Sequence, residues 1–176
     1  MAEAYQESVG IFIYLSRISS IIVHMLYIVF RYLHFIAIFG LAGALVIENM
    51  AIKPTINGED AKNLAKVDVV YGICAFLVFA FGLVLWLWIG RPSEFYSVNS
   101  LFQAKILLFI IIALISAYPT SFFVKHRKSD AETISVPHLI PILLKVELFL
   151  LLIIPILAYL MARGIGIPDL SSNSSY

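Results

Sequence analysis

Apolar residues fall into four runs, near 28–49, 69–89, 101–123 and 139–161. Each is long enough to cross a bilayer core, which takes about 20 helical residues at about 1.5 Å rise each. The polar stretches AIKPTINGEDAKNLAK, GRPSEFYSVNS and KHRKSDAETISVPH part them. In the first loop Pro54 and the Asn57-Gly58 pair make a turn. Glu59 and Asp60 then precede Lys62 and Lys66, the order that a helix dipole prefers. In the second loop Pro92 sets a tight turn, and Asn99 or Ser100 can cap the third helix. The pattern predicts an all-α integral membrane protein, an antiparallel four-helix bundle over 28–166 with an additional N-terminal amphipathic helix. Residues 1–27 form an N-terminal extension, and residues 167–176 a polar tail.

The extension complicates this frame, because IFIYLSRISSIIVHMLYIVF (11–30) is apolar enough to span, yet no Gly, Pro or turn cluster parts it from the first run. Read as one helix, 11–49 would be about 58 Å long, twice the core thickness. Arg17, Ser20, His24, Tyr27, Arg31 and His34 recur at alternating steps of three and four, one stripe of a continuous helix. The apolar remainder needs lipid or a protein partner. It is either an amphipathic helix lying on the outer leaflet or a docking helix for another membrane protein or a second copy; a fifth span is the third option.

Composition agrees with the membrane reading. Hydrophobic residues make up 61% and charged residues 13%, with a mean hydropathy of +0.97, whereas soluble domains are about a quarter charged. A net charge of +1 without a basic block excludes nucleic acid as a partner. The single cysteine, Cys74, lies inside an apolar run, so one chain offers neither a disulfide framework nor a multi-thiolate metal site. The opening MAEAYQESVG lacks the basic region of a cleaved signal, so the N-terminus is expected to be retained. Lys53, Lys62, Lys66, Lys125, Arg127 and Lys128 on the first and third loops face Arg17, Arg31, Arg91 and Arg163 on the other side. Six against four favours the two loops in the cytoplasm and both termini outside.

Ionisable residues inside the spans are the candidate chemistry, since each costs about 2.5–3.5 kcal/mol or more at a bilayer centre. His34 and Glu48 lie two heptads apart, on one face of the first helix and about 21 Å apart along it. Asp68, Tyr71, Gly72 and Gly82 share a face of the second. Two polar layers follow: an outer one of Arg31, His34 and Lys105, and an inner one of Glu48, Asp68, Tyr71, Lys145 and Glu147.

The outer layer has the chemistry of a haem site, with the His34 imidazole as iron ligand and Lys105 and Arg31 to pair with propionates. Gly40, Ala42, Gly43 and Ala44 would let a flat ring or another helix approach. The plainer alternative is a histidine bonded across helices, with the small residues as packing positions. The inner layer could hold or pass a proton, with Glu147, Asp68 and Tyr71 as the candidate catalytic set. Alternatively, Glu48 and Asp68 face water or pair with Lys53 and Lys66. Trp86, Trp88, Phe95 and Tyr96 read as an interfacial aromatic belt. The four methionines are too scattered to select copper.

The segments RYLHFIAIFGLAGALVIE, AKVDVVYGICA, FYSVNSLFQAKILLF, SAYPTSFF and KVELFLLLIIPILAYLMARGIG together resemble a bacterial family of four-helix membrane proteins known only as a domain of unknown function. The likeness runs from about Arg31 to Gly166. Its motifs fall on Leu33-His34, Glu48, Asp68-Tyr71-Gly72, Lys105, Pro119-Thr120, Glu147 and Met161-Ala162-Arg163-Gly164. More faintly, the pattern is similar to HemJ-type protoporphyrinogen oxidases and to CopD membrane domains. The HemJ likeness implies haem b at His34 and Lys105. The tryptophan of the HemJ first helix is absent, with Leu41 near its place, and Lys53 stands where a second histidine would be. These likenesses imply a protein of the bacterial inner membrane and a haem-b-binding redox role, HemJ-like in architecture. The rival expectation is a non-catalytic accessory subunit of a larger membrane complex.

Overall fold

Helix α1 runs unbroken from Ala2 to Ala51, about 75 Å, because no proline interrupts the chain before Pro54. The extension therefore continues α1 rather than forming an element of its own. The computed structural model describes residues 2–89 and 96–166. The expected Pro92 turn, Arg91, Phe95 and the polar tail lie outside the described residues.

Helix α2, Gly58–Val84, starts where the Asn57 side chain accepts a hydrogen bond from the Asp60 amide, with Glu59 and Asp60 in its first turn. A π-helical turn, Leu85–Ile89, prolongs it. Helix α3, Ser100–His126, is capped by Asn99, whose side chain accepts from the amides of Leu101 and Phe102. Helix α4 spans Leu139–Ala162. Its end is a Schellman motif: the Ile165 amide reaches the Leu160 carbonyl and the Gly164 amide that of Met161, with Gly164 at φ 82°, a conformation glycine adopts without strain. Among the described residues, four helices are long and apolar enough to cross a membrane.

Each end of the bundle has its own fastening. At one end a short antiparallel ladder joins the first and third loops, β1 (Thr55–Ile56) pairing with β2 (Ile134–Ser135). The Val136 amide adds a bond to the Pro54 carbonyl, and the Gly58 amide one to that of Ala131. Gly58 is required there, since a Cβ would sit 2.3 Å from the Ser129 carbonyl oxygen. Lys62 pairs with Asp130 at 2.7 Å and holds that carboxyl below the ordinary carboxylate range. At the other end, the Asn99 side chain donates to the Ile165 carbonyl and the Ser100 amide to that of Gly166, binding the start of α3 to the end of α4.

The core is apolar and central, with Leu41, Leu45, Phe123, Ile140 and Leu144 almost wholly buried. The α1–α2 seam is close because small residues face it. Ala37 and Ala44 are buried, and a Cβ on Gly40 would lie 2.7 Å from the Cys74 Sγ. Gly43 instead faces outward with open space around it, so it takes no part in the seam. Outside, large apolar side chains such as Phe76, Leu114, Phe149 and Leu152 are exposed, the surface that lipid requires of a spanning bundle. From Ile11 to Val29 every side chain is exposed except the half-buried Tyr27. Packing on α2 has begun by Phe30, whose ring meets that of Phe81 edge to face at 5.8 Å.

Candidate functional site

All four helices send polar side chains to one buried place below the β1–β2 ladder. Helix α1 contributes Glu48 near its end, α2 contributes Asp68 and Tyr71 one turn apart, α3 contributes Thr120, and α4 contributes Glu147. Glu48 and Glu147 are each 1% exposed, and Asp68 and Tyr71 5%. The Tyr71 hydroxyl donates to Glu147 Oε2 at 3.2 Å, and the Thr120 hydroxyl to Asp68 Oδ1 at 2.7 Å. Glu48 Oε1 and Glu147 Oε1 have no hydrogen-bond partner. The three carboxyls lie within electrostatic reach of one another. Asn49 latches α1 to α4 beside them, donating to the carbonyls of Leu45 and Leu144 at 2.9 and 3.0 Å.

No basic side chain joins the carboxyls. Lys145 is exposed, because residues 145 and 147 are about 200° apart around a helix; it does not belong to the inner layer. Lys53 and Lys66 are exposed too, and the one ion pair among the described residues is Lys62–Asp130. Glu48 and Asp68 are therefore buried rather than open at the surface, and neither pairs with those lysines. A buried charge without a partner is costly, so three neighbouring carboxyls without a cation cannot all be ionised together. The chemistry open to such a set is to take up, share and release protons. Ser116, which sequence reasoning missed, joins Asp68, Tyr71 and Thr120 along a cleft of about 120 Å³ between α2 and α3. Its position four residues before Thr120, on the same helix face, was the available signal.

The outer layer is not assembled as its spacing implied. Arg31 is exposed, donates to the Tyr27 hydroxyl at 2.9 Å and lies over the rings of Tyr27 and Phe35. That leaves His34 and Lys105, both half-buried and within electrostatic reach of each other. The Lys105 ammonium lies 5.1 Å from the Phe102 ring centre. The imidazole packs on α2 where a glycine makes room, a Cβ on Gly82 lying 3.4 Å from its Cε1. The ring faces the Val78 carbonyl, but Nδ1 completes no hydrogen bond of normal geometry. Trp86 is no belt residue either, for its indole N–H is buried and its ring stands edge-on to Phe102 at 5.0 Å. Trp88 is 76% exposed and does face outward.

A haem b on His34 would need a slot beside the imidazole and cations for its propionates. The orphaned Nδ1 and Lys105 match part of that donor set. The seam itself is closed about one turn before His34 by Phe30 on Phe81 and again beyond it by Gly40 on Cys74, and Arg31 is turned away. In this packing the residues do not form a haem slot between α1 and α2. Among the described residues, no group of three His, Cys, Asp or Glu side chains is placed to hold a metal ion.

The sequence model of a family described as a predicted membrane protein (DUF2214), a domain of unknown function, matches residues 26–166. The chain belongs to this family. The matched region begins four residues before Phe30 and leaves the exposed stretch Ile11–Met25 of α1 outside. No curated protein and no solved structure matches the chain, the HemJ-type oxidases and CopD domains included.

Proposed function

We propose that this DUF2214 protein works by holding and exchanging protons at the carboxyl cluster of Glu48, Asp68 and Glu147. The observation that carries the reading is the pair of glutamates, each 1% exposed with one oxygen unpartnered and no basic residue beside it. Ionisable groups inside membrane spans are expensive to keep, and these add no ion pair to the fold. Tyr71 and Thr120 orient two of the carboxyls by donating to them. The ladder, with Ile56, Ile134 and Val136 buried, closes the loop end of the bundle. Water is thereby excluded from that side. The outer set offers part of a haem donor set without a slot between α1 and α2, and the proton reading does not require haem b.

A lipid-soluble carbodiimide tests this reading, because it couples to carboxyls that carry a proton and lie in an apolar phase. At neutral pH, treatment of the protein in native membranes followed by peptide mass spectrometry should find adducts on the cluster and none on Glu59 or Glu132. An unmodified cluster alongside labelled loop acids would refute it.

A second reading has one observation in its favour. The exposed apolar surface from Ile11 to Val29 suits an accessory subunit that docks on a larger membrane complex. Removal of residues 2–25 should then shrink the particle isolated in mild detergent by more than the mass deleted, while the bundle stays folded.

A further inference from the structure

The three carboxyls are not equally placed, and the difference defines a route. Asp68 and Tyr71 line the α2–α3 cleft, together with Ser116 and Thr120. Glu48 and Glu147 do not line it. The ladder covers the loop end, and Leu144 and Leu151, both buried on α4, close one flank. A second pocket, of about 230 Å³, opens between the end of α1 and the start of α2 beside Ile47, Ala51 and Asn63, but none of the three carboxyls lines it. Of these two openings, the α2–α3 cleft is the one that a carboxyl of the cluster lines.

Resting on the proton reading, we infer that protons reach the cluster through water held in this cleft, which enters from its Thr120 end, nearest the loops. Asp68 is the group that exchanges them, and Tyr71 is the relay to Glu147. A volume of about 120 Å³ has room for about four waters at about 30 Å³ each, and a water needs two to four polar partners. Asp68, Tyr71, Ser116 and Thr120 supply them along one side, while Leu41, Phe109 and Ile112 make the rest of the lining apolar. Thr120 engages Asp68 Oδ1 and leaves Oδ2 for the water. The relay starts with Glu147 ionised and Asp68 protonated: the Tyr71 oxygen accepts the Asp68 proton through cleft water as its own proton passes to Glu147 Oε2. The tyrosine ends neutral, Glu147 protonated and Asp68 ionised, until a proton from the bulk phase, passed along the cleft water, restores it.

The test uses the full-length protein in lipid nanodiscs moved from water into deuterium oxide. The readout is the rate at which the infrared carbonyl band of the protonated carboxyls shifts. Ala113 lines the cleft on its lipid-facing side, halfway along α3, so Ala113→Phe should slow the shift about tenfold or more by removing the room for water. Gly72→Leu fills the cleft from α2, where an added Cβ meets nothing within 4 Å, and should do the same. Leu114→Phe, at a neighbouring lipid-facing position, should leave the rate unchanged. Asp68→Asn should slow exchange while the glutamate band persists. Wild-type rates in both cleft-filling variants, with the band present, would overturn the route and leave the proton reading standing. Absence of the band from the unmodified protein would overturn both.

Discussion

Replacing Glu48 by methionine separates a functional acid from a structural one. Glu48 is 1% exposed, Oε1 has no partner, and Asp68 and Glu147 lie within electrostatic reach. An unsatisfied buried polar group costs about 1–3 kcal/mol, and an apolar side chain of similar volume removes that cost without leaving a cavity. Methionine matches the length of glutamate and adapts to irregular space. Glu48→Met should therefore stabilise the protein by about 1–3 kcal/mol. For a chain of this size that amounts to a rise of several degrees in apparent Tm, at about 2–4 °C per kcal/mol. Glu147→Leu should behave differently, because it removes the carboxylate oxygen to which the Tyr71 hydroxyl donates. It should be neutral or destabilising, and Tyr71→Phe added to it should recover the loss. The assay is thermal unfolding of detergent-purified variants, read by the loss of monomer in size-exclusion chromatography. A Glu48→Met protein that melts below wild type would show that the carboxyl makes a stabilising contact, contradicting the claim that it is retained for chemistry.

Further outcomes follow from the packing and from the sequence. Gly40→Val should destabilise by about 1–3 kcal/mol through overpacking, and Cys74→Ala in the same chain should recover part of it, because the added Cβ meets the Cys74 Sγ at 2.7 Å; a Gly40→Val protein that melts like wild type would disprove the close seam. In a Cys74→Ala background, cysteines at the exposed loop positions 53 and 132 should be shielded from a membrane-impermeant thiol reagent in intact bacteria, as the Lys/Arg balance requires. Labelling of both from outside would reverse the orientation, and labelling of one alone would break the four-span topology. Protein purified from haem-replete cells should show no Soret band that His34→Ala abolishes; such a band would reinstate the haem reading.

The spans and the inner acids were legible because a membrane removes ambiguity: long apolar runs have few alternative fates, and every acid within them stands out. Helical spacing also put Asp68 and Tyr71 on one face, Glu59 and Asp60 marked the first turn of α2, and the cap of α3 was expected at Asn99 or Ser100. Spacing says which residues share a face, but not what the facing helix leaves open. For that reason His34 and Lys105 resembled a haem site, whereas the structure packs the imidazole on Gly82 in a closed seam. Arg31 was misassigned because a long side chain near a helix face edge can turn outward and cover neighbouring rings. Trp86 was misassigned because the π-helical turn at Leu85–Ile89 alters the register that regular counting assumes. The β1–β2 ladder gave no signal at all. Two-residue strands separated by about 80 positions carry no periodicity, and their pairing follows from the bundle bringing the two loops together.

The central claim is that the cluster holds protons at neutral pH, and infrared spectroscopy of the full-length protein in lipid nanodiscs tests it most directly. The difference between wild type and Glu147→Gln at pH 7 should contain the carbonyl stretch of a protonated carboxyl in an apolar site, and the Glu48→Gln difference should alter that same band. A difference spectrum with carboxylate bands alone, and nothing in the protonated carbonyl region for either variant, would contradict the account.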